Sequence, residues 1–174
     1  IVERLNDALT FELSVVNQYF LHARMLDNWG FPKLGKVFYD LSIDEMRDAD
    51  ALISRVLFFE GHPNIQRLMA IRVGEDAEEM LRLALESEVA AVAQFNAAAK
   101  ECHDLGDHAT ASLFEAMALD EEKHADWFES QLDAIERIGG AGLALRLADL
   151  CAMHRHEGRA EAVDAGKILV AARL

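Results

Sequence analysis

Four stretches of this chain, residues 1–29, 36–60, 75–105 and 107–138, contain neither glycine nor proline. Each is rich in Ala, Leu, Glu and Arg, and threonine is nearly absent, so intrinsic propensity favours helix throughout. The reading is four α-helices of about 25 to 30 residues, each about 37 to 45 Å long at roughly 1.5 Å per residue. Gly30, Gly61 and Gly106 stand where C-terminal helix stops belong, and the two prolines, Pro32 and Pro63, fall between the stretches. Gly35 is tolerable within the first turn or two of the second helix. Helices one and two are joined by a short turn around Trp29-Gly30-Phe31-Pro32, and helices three and four by Leu105-Gly106-Asp107. Short joints make antiparallel neighbours. His62 to Val73, about a dozen residues, is long enough to run the length of a bundle. The expected fold is therefore all-α: a four-helix bundle over residues 1–138, built from two hairpins joined by a long crossover. Gly139, Gly140 and Gly142 close the fourth helix, and a short fifth helix over residues 139–153 and a C-terminal extension over 154–174 follow.

Tracking the buried seam of each helix by alternating steps of three and four residues exposes an anomaly. The first seam runs Leu5, Ala8, Glu12, Val15, Tyr19, His22, Leu26, and the second Phe38, Leu41, Glu45, Asp48, Leu52, Val56, Phe59. The third runs Leu81, Leu85, Glu88, Val92, Phe95, Ala99, Cys102, and the fourth Phe114, Met117, Glu121, His124, Phe128, Leu132, Ile135. Every helix places an acid in mid-seam. Glu45 with Asp48 and Glu121 with His124 are i,i+3 pairs that share a helix face. Glu12 precedes Glu45 by 33 residues and Glu88 precedes Glu121 by the same 33, so the hairpins read as internal repeats. All four glutamates then lie at one depth in the bundle. Unpaired carboxylates buried together cost several kcal/mol each, and these seams carry no arginine to neutralise them. Oxygen-rich ligands with one imidazole suit a pair of first-row metal ions, iron or manganese, held inside the bundle.

Longer stretches sharpen this reading. NQYFLHARMLDNWG at 17–30, SIDEMRDAD at 42–50, RVLFFEGHPNIQ at 55–66 and LDEEKHADWFESQLD at 119–133 resemble bacterioferritin, over about residues 1 to 150. The resemblance implies a ferritin-like subunit of a hollow 24-subunit shell, which takes up Fe(II), oxidises it with O2 or peroxide at a dinuclear iron centre and stores ferric mineral. It implies that Glu12, Glu45, Glu88, Glu121 and His124 are the ferroxidase ligands, with Glu45 and Glu121 bridging. Asp48 stands where the family pattern has a second histidine. Four carboxylates and two neutral imidazoles balance two Fe(II) ions, whereas an ionised Asp48 leaves the set at −1. The resemblance also makes Met46, from each of two subunits, an axial ligand to one haem b, with Leu13, Asn17 and Phe20 lining the pocket. Asn28, Glu60, Asp126 and Asp133 resemble residues of an iron-entry pore, and Asp40 and Asp44 fall at an inner-surface iron site where a histidine is expected at Asp40. His22 reads as a hydrogen-bonded core histidine and Cys102 as inert packing.

Charge and composition exclude other classes. With 31 acidic against 17 basic residues and a net charge of −14, the chain lacks the basic face that a nucleic-acid binder needs and suits cationic ligands. Two cysteines are too few for a disulfide-stapled secreted scaffold. The opening residues do not read as a signal peptide, and no apolar run approaches the roughly 18 residues of a membrane span. A cytoplasmic protein is expected. The functional expectation is an enzyme, a ferroxidase with Asp48 as substitute ligand. The alternative is a haem-bearing structural and electron-transfer subunit whose impaired centre works beside a catalytic partner in a mixed shell. Rubrerythrin-type peroxidases would carry a Cys-x-x-Cys module, and DNA-coating mini-ferritins hold iron between subunits; neither fits.

Overall fold

In a computed structural model, described over residues 1–138, four helices follow one another: α1 Val2–Asn28, α2 Pro32–Phe58, α3 Ala77–Asp104 and α4 His108–Ile138. The expected fifth helix (139–153) and extension (154–174) lie outside the described residues. Pro32 is the first residue of α2, where its missing N–H removes a donor that the helix would leave unpaired. Gly30 and Gly106 take left-handed backbone, φ +87° and +78°, and end α1 and α3 as expected. Gly61 does not. The left-handed residue after α2 is Glu60, φ 55°, and Gly61 is required by space: a Cβ there would lie 2.9 Å from Val2 Cγ1. Gly35, in the first turn of α2, is likewise a contact glycine, since a Cβ would meet Ala23 O at 2.9 Å where α1 and α2 approach.

The crossover, residues 59–76, is anchored by a polar stripe of which only His22 belongs to the first seam. Asn6, Thr10, Ser14, Gln18 and His22 recur every fourth residue along α1 and face this segment. Asn64 N donates to Asn6 Oδ1 at 2.7 Å, Arg67 Nε to Thr10 Oγ1 at 2.9 Å, and Met69 N to Ser14 Oγ at 2.8 Å. Arg72 N donates to Gln18 Oε1 at 3.1 Å, and His22 Nε2 lies 2.9 Å from Arg72 O. The Arg72 guanidinium then donates to Leu83 O and Ser87 Oγ of α3, each at 2.9 Å. Side chains of one helix thus supply the partners that a segment without helix or sheet otherwise lacks.

The bundle is layered about the acid plane. Seven residues beyond Glu12 and Glu121, and seven before Glu45, lie Tyr19, Phe128 and Phe38, about 10.5 Å along their helices. Their rings meet at centroid distances of 5.4 to 6.1 Å. On the other side Phe95 stacks on Phe114 at 6.1 Å, with Leu5 and Leu52 buried at the same depth. The layers match only if α1 and α4 run one way and α2 and α3 the other. That is the topology which two hairpins and a crossover require.

On α3 the structure corrects the expected seam. Leu85 and Val92 are half-buried, and the innermost positions are Ala84 and Ala91, one residue earlier in each step. Small side chains beside Glu88 leave room for the carboxylates, and the larger ones flank the core. Phe59 lies just past the end of α2 and is half-buried.

Candidate metal centre

Glu12 from α1, Glu45 from α2, Glu88 from α3 and Glu121 from α4 are each about 1% exposed; the last three converge with His124, and Glu12 stands outside that close set, beside Glu45. Ligand atoms of Glu45, Glu88, Glu121 and His124 all lie within 4.8 Å of one another. His124 Nδ1 faces this group, 3.0 Å from Glu121 Oε2, 3.5 Å from Glu45 Oε1 and 3.9 Å from Glu88 Oε2. Both oxygens of Glu12, with Oε1 of Glu45 and of Glu121, are buried without a hydrogen-bond partner. Among the described residues no lysine or arginine pairs with any of the four. Four buried acids with one imidazole and unclaimed lone pairs form a donor set that fits hard divalent cations. The Tyr19 hydroxyl donates to Glu88 Oε1 and orients that carboxylate. The sequence reading placed Tyr19 on the seam without giving it this part. Its position, two turns beyond an acid and bearing a donor, was the available signal.

The energetics are those of a cluster awaiting cations. Burial, then the neighbouring carboxylates, pushes the Glu12, Glu45 and Glu88 carboxyls well above the usual range. Burial and the Glu121 and Asp120 charges push Asp48 up to about 7. A carboxyl whose folded pKa is raised keeps its proton longer in the folded than in the unfolded chain. Folding stability is then greatest below the unfolded pKa and is lost as pH rises towards the folded value. For Asp48 that window runs from 3.8 to about 7, and for the glutamates it opens at 4.5. The melting temperature of chelator-stripped protein is therefore expected to fall by at least about 5 °C between pH 5 and pH 8. A saturating divalent metal should oppose that fall, because metal binding displaces protons and strengthens with pH. A flat or rising metal-free profile would contradict this electrostatic account.

Asp48 is only partly buried and stands outside the 4.8 Å group, at its solvent-side edge. Asp44, one turn before, is paired with Arg47, and Asp40 is paired with Lys36. Asn28, Glu60, Asp126 and Asp133 are all exposed. Met46 is 47% exposed on the outer face of the α1–α2 hairpin, with Asn17 also exposed, Leu13 half-buried and Phe20 49% exposed. Tyr39 and Ile43 extend this face, and the Phe20 and Tyr39 rings lie 6.2 Å apart. His22 is buried, hydrogen-bonded through Nε2 and held below its usual pKa by burial. Cys102 is a buried free thiol whose pKa burial raises.

A four-helix bundle with four inward acids and an inward histidine defines a class, and comparison agrees with it. The ferritin-like domain family model matches residues 2–138. The chain is 45% identical over 139 residues to the bacterioferritin of Brucella melitensis biotype 1, covering 80% of this chain and 86% of that protein. It is 40% identical to the bacterioferritin of Rhodobacter capsulatus, covering 83% and 90%, and 42% identical to that of Streptomyces coelicolor, covering 80% and 83%. The chain belongs to the bacterioferritin family.

Proposed function

We propose that this chain is an iron-storage subunit which takes up Fe(II) into the centre formed by Glu12, Glu45, Glu88, Glu121 and His124. The observation that carries the reading is the set of buried carboxylate oxygens with no partner of their own. Two Fe(II) ions are substrates there, each giving one electron to O2 or peroxide, and the ferric product passes to a mineral inside a 24-subunit cytoplasmic shell. The residues prepare this step. The Glu12, Glu45 and Glu88 carboxyls give up their protons as iron enters, and the resulting charges favour Fe(III) over Fe(II). His124 Nδ1 is turned to the same space, Tyr19 holds Glu88, and the aromatic layers keep bulk water from the ions. No helix among the described residues is long and apolar enough to cross a membrane, in keeping with a water-facing shell. Anaerobic Fe(II) titration tests the binding part: two equivalents per chain are expected to bind tightly, and both to weaken when Glu45 and Glu121 are changed to alanine together. Unchanged stoichiometry would overturn it.

Met46 supports a second component. Met46, Tyr39 and Ile43 of α2 and Phe20 of α1 are exposed, with Leu13 half-buried, and such an apolar surface suits a planar apolar group shared by two copies. Haem b would be held by Met46 from each copy, with Leu13, Asn17 and Phe20 along its edge, and would supply a one-electron carrier. Met46→Leu is expected to abolish the Soret band of reconstituted protein and to leave the melting temperature within about 2 °C. One haem per two unmodified chains is the expected stoichiometry. Haem uptake equal to that of the unmodified chain would contradict the assignment.

The partial exposure of Asp48, beside five buried ligand candidates, favours one further reading: a subunit that bears haem and shell surface while a partner subunit supplies fast oxidation.

A further inference from the structure

The joint between α3 and α4 carries a constellation that the iron chemistry does not use. His103, in the last turn of α3, and His108, the first residue of α4, present their Nδ1 atoms to one another at 3.1 Å. The second nitrogen of His103, Nε2, lies 2.8 Å from Glu115 Oε1, two turns into α4. Both rings and the Glu115 side chain are exposed, so solutes reach them directly.

The backbone beneath them is fixed. Asp107 N donates to Cys102 O at 2.9 Å and Gly106 N to His103 O at 3.0 Å, with Gly106 in the left-handed conformation that such a helix stop needs. Asp107 accepts from Thr110 N at 3.1 Å and is paired with Arg55 of α2 at 2.9 Å. The two histidines therefore meet across a locked turn.

The chemistry of the three side chains is specific. A carboxylate that accepts the Nε2 proton of His103 leaves its Nδ1 with a lone pair, the arrangement in which metal-bound histidines are commonly held. Two nitrogens on one zinc-like ion, each about 2.0–2.1 Å from it, stand about 2.9–3.4 Å apart. The observed separation falls inside that range. We infer that a divalent ion of the imidazole-preferring class, zinc, nickel or copper(II), binds between Nδ1 of His103 and Nδ1 of His108. Glu115 is the positioning residue that sets the His103 tautomer, and water fills the remaining coordination positions. Without the ion, one Nδ1–H donates to the other ring. The site is nitrogen-based and superficial, whereas the bundle centre is oxygen-rich and buried, so the two differ in the cations they select.

Zinc is the probe, and position separates the two sites. Zinc-edge anomalous diffraction from crystals of the intact protein equilibrated with Zn(II) is expected to show a peak between the two rings. In solution, competition against a chromophoric chelator should count one more zinc per unmodified chain than per His103→Ala/His108→Ala chain. Any zinc bound in the bundle should be unaffected. Glu115→Gln should retain the surface site with affinity lowered about 10–100-fold. Equal zinc counts for the unmodified and doubly substituted chains, with no peak between the rings, would overturn the site. A Glu115→Gln chain that binds as tightly as the unmodified one would overturn the role of Glu115. Melting curves of the variants, expected to match the unmodified protein because all three side chains are exposed, show that any lost zinc is not lost fold.

Discussion

Replacing Glu12 with glutamine is expected to raise the melting temperature of the metal-free protein and, in the same variant, to abolish rapid iron oxidation. The two effects have one cause. Both Glu12 oxygens are buried without a hydrogen bond, and Glu121, Asp48 and Glu88 add repulsion to the desolvation that already penalises its charge. Glutamine keeps the volume, removes the charge and adds donors that can reach a neighbouring carboxylate. Relieving one buried, uncompensated acid stabilises by about 1–4 kcal/mol, a rise of roughly 3–12 °C for a chain of this size. Removing one carboxylate oxygen from the donor set costs at least about 100-fold in the rate of the fast oxidation phase, since even outer partners of a metal ligand cost 10–100-fold. A thermal melt under chelator and a stopped-flow trace, both on Glu12→Gln, check the pair. A lower metal-free melting temperature would mean that Glu12 stabilises the fold, and that the cluster is not held for a cation.

The second large effect is expected at Asp48. It follows Glu45 by three residues as His124 follows Glu121, so the hairpins are symmetrical in backbone but not in ligand. The shorter carboxylate sits at the edge of the cluster, partly exposed, and its charge adds to an already acidic set. Asp48→His places an imidazole at the position matching His124 and removes the surplus negative charge at neutral pH. The fast phase of Fe(II) oxidation is expected to accelerate by about tenfold, roughly 1.4 kcal/mol of barrier. The metal-free protein should lose only the Asp48 share of its destabilisation between pH 5 and pH 7, since Glu12, Glu45 and Glu88 retain theirs. An unchanged or slower rate would show that Asp48 already serves the centre as well as an imidazole does.

Much of this was legible before any coordinates. Gaps in glycine and proline marked four helices to within about four residues, because nothing else breaks an Ala-, Leu- and Glu-rich run. The matched offsets of Glu12, Glu45, Glu88 and Glu121 placed one acid per helix at one depth; the structure buries all four and brings Glu45, Glu88 and Glu121 together with His124, with Glu12 beside Glu45. What failed was local. A helix seam drifts, since 3.6 residues per turn does not divide seven, so choosing Leu85 over Ala84 and Val92 over Ala91 was a choice the pattern could not decide. Gly61 looked like a helix stop, but its role depends on Val2, far away in sequence. The polar stripe from Asn6 to Gln18 reads as an ordinary outer face until the crossover lies on it, and the His103–His108 contact exists only once the α3–α4 turn closes.

The most direct measurement is stopped-flow oxidation of Fe(II) by the purified, unmodified protein alone, with increasing iron at fixed protein concentration. The account predicts a fast phase whose amplitude saturates near two irons per chain and disappears in Glu12→Gln. A trace without a saturating fast phase would contradict it and would make this chain a haem-bearing shell subunit that depends on a catalytic partner.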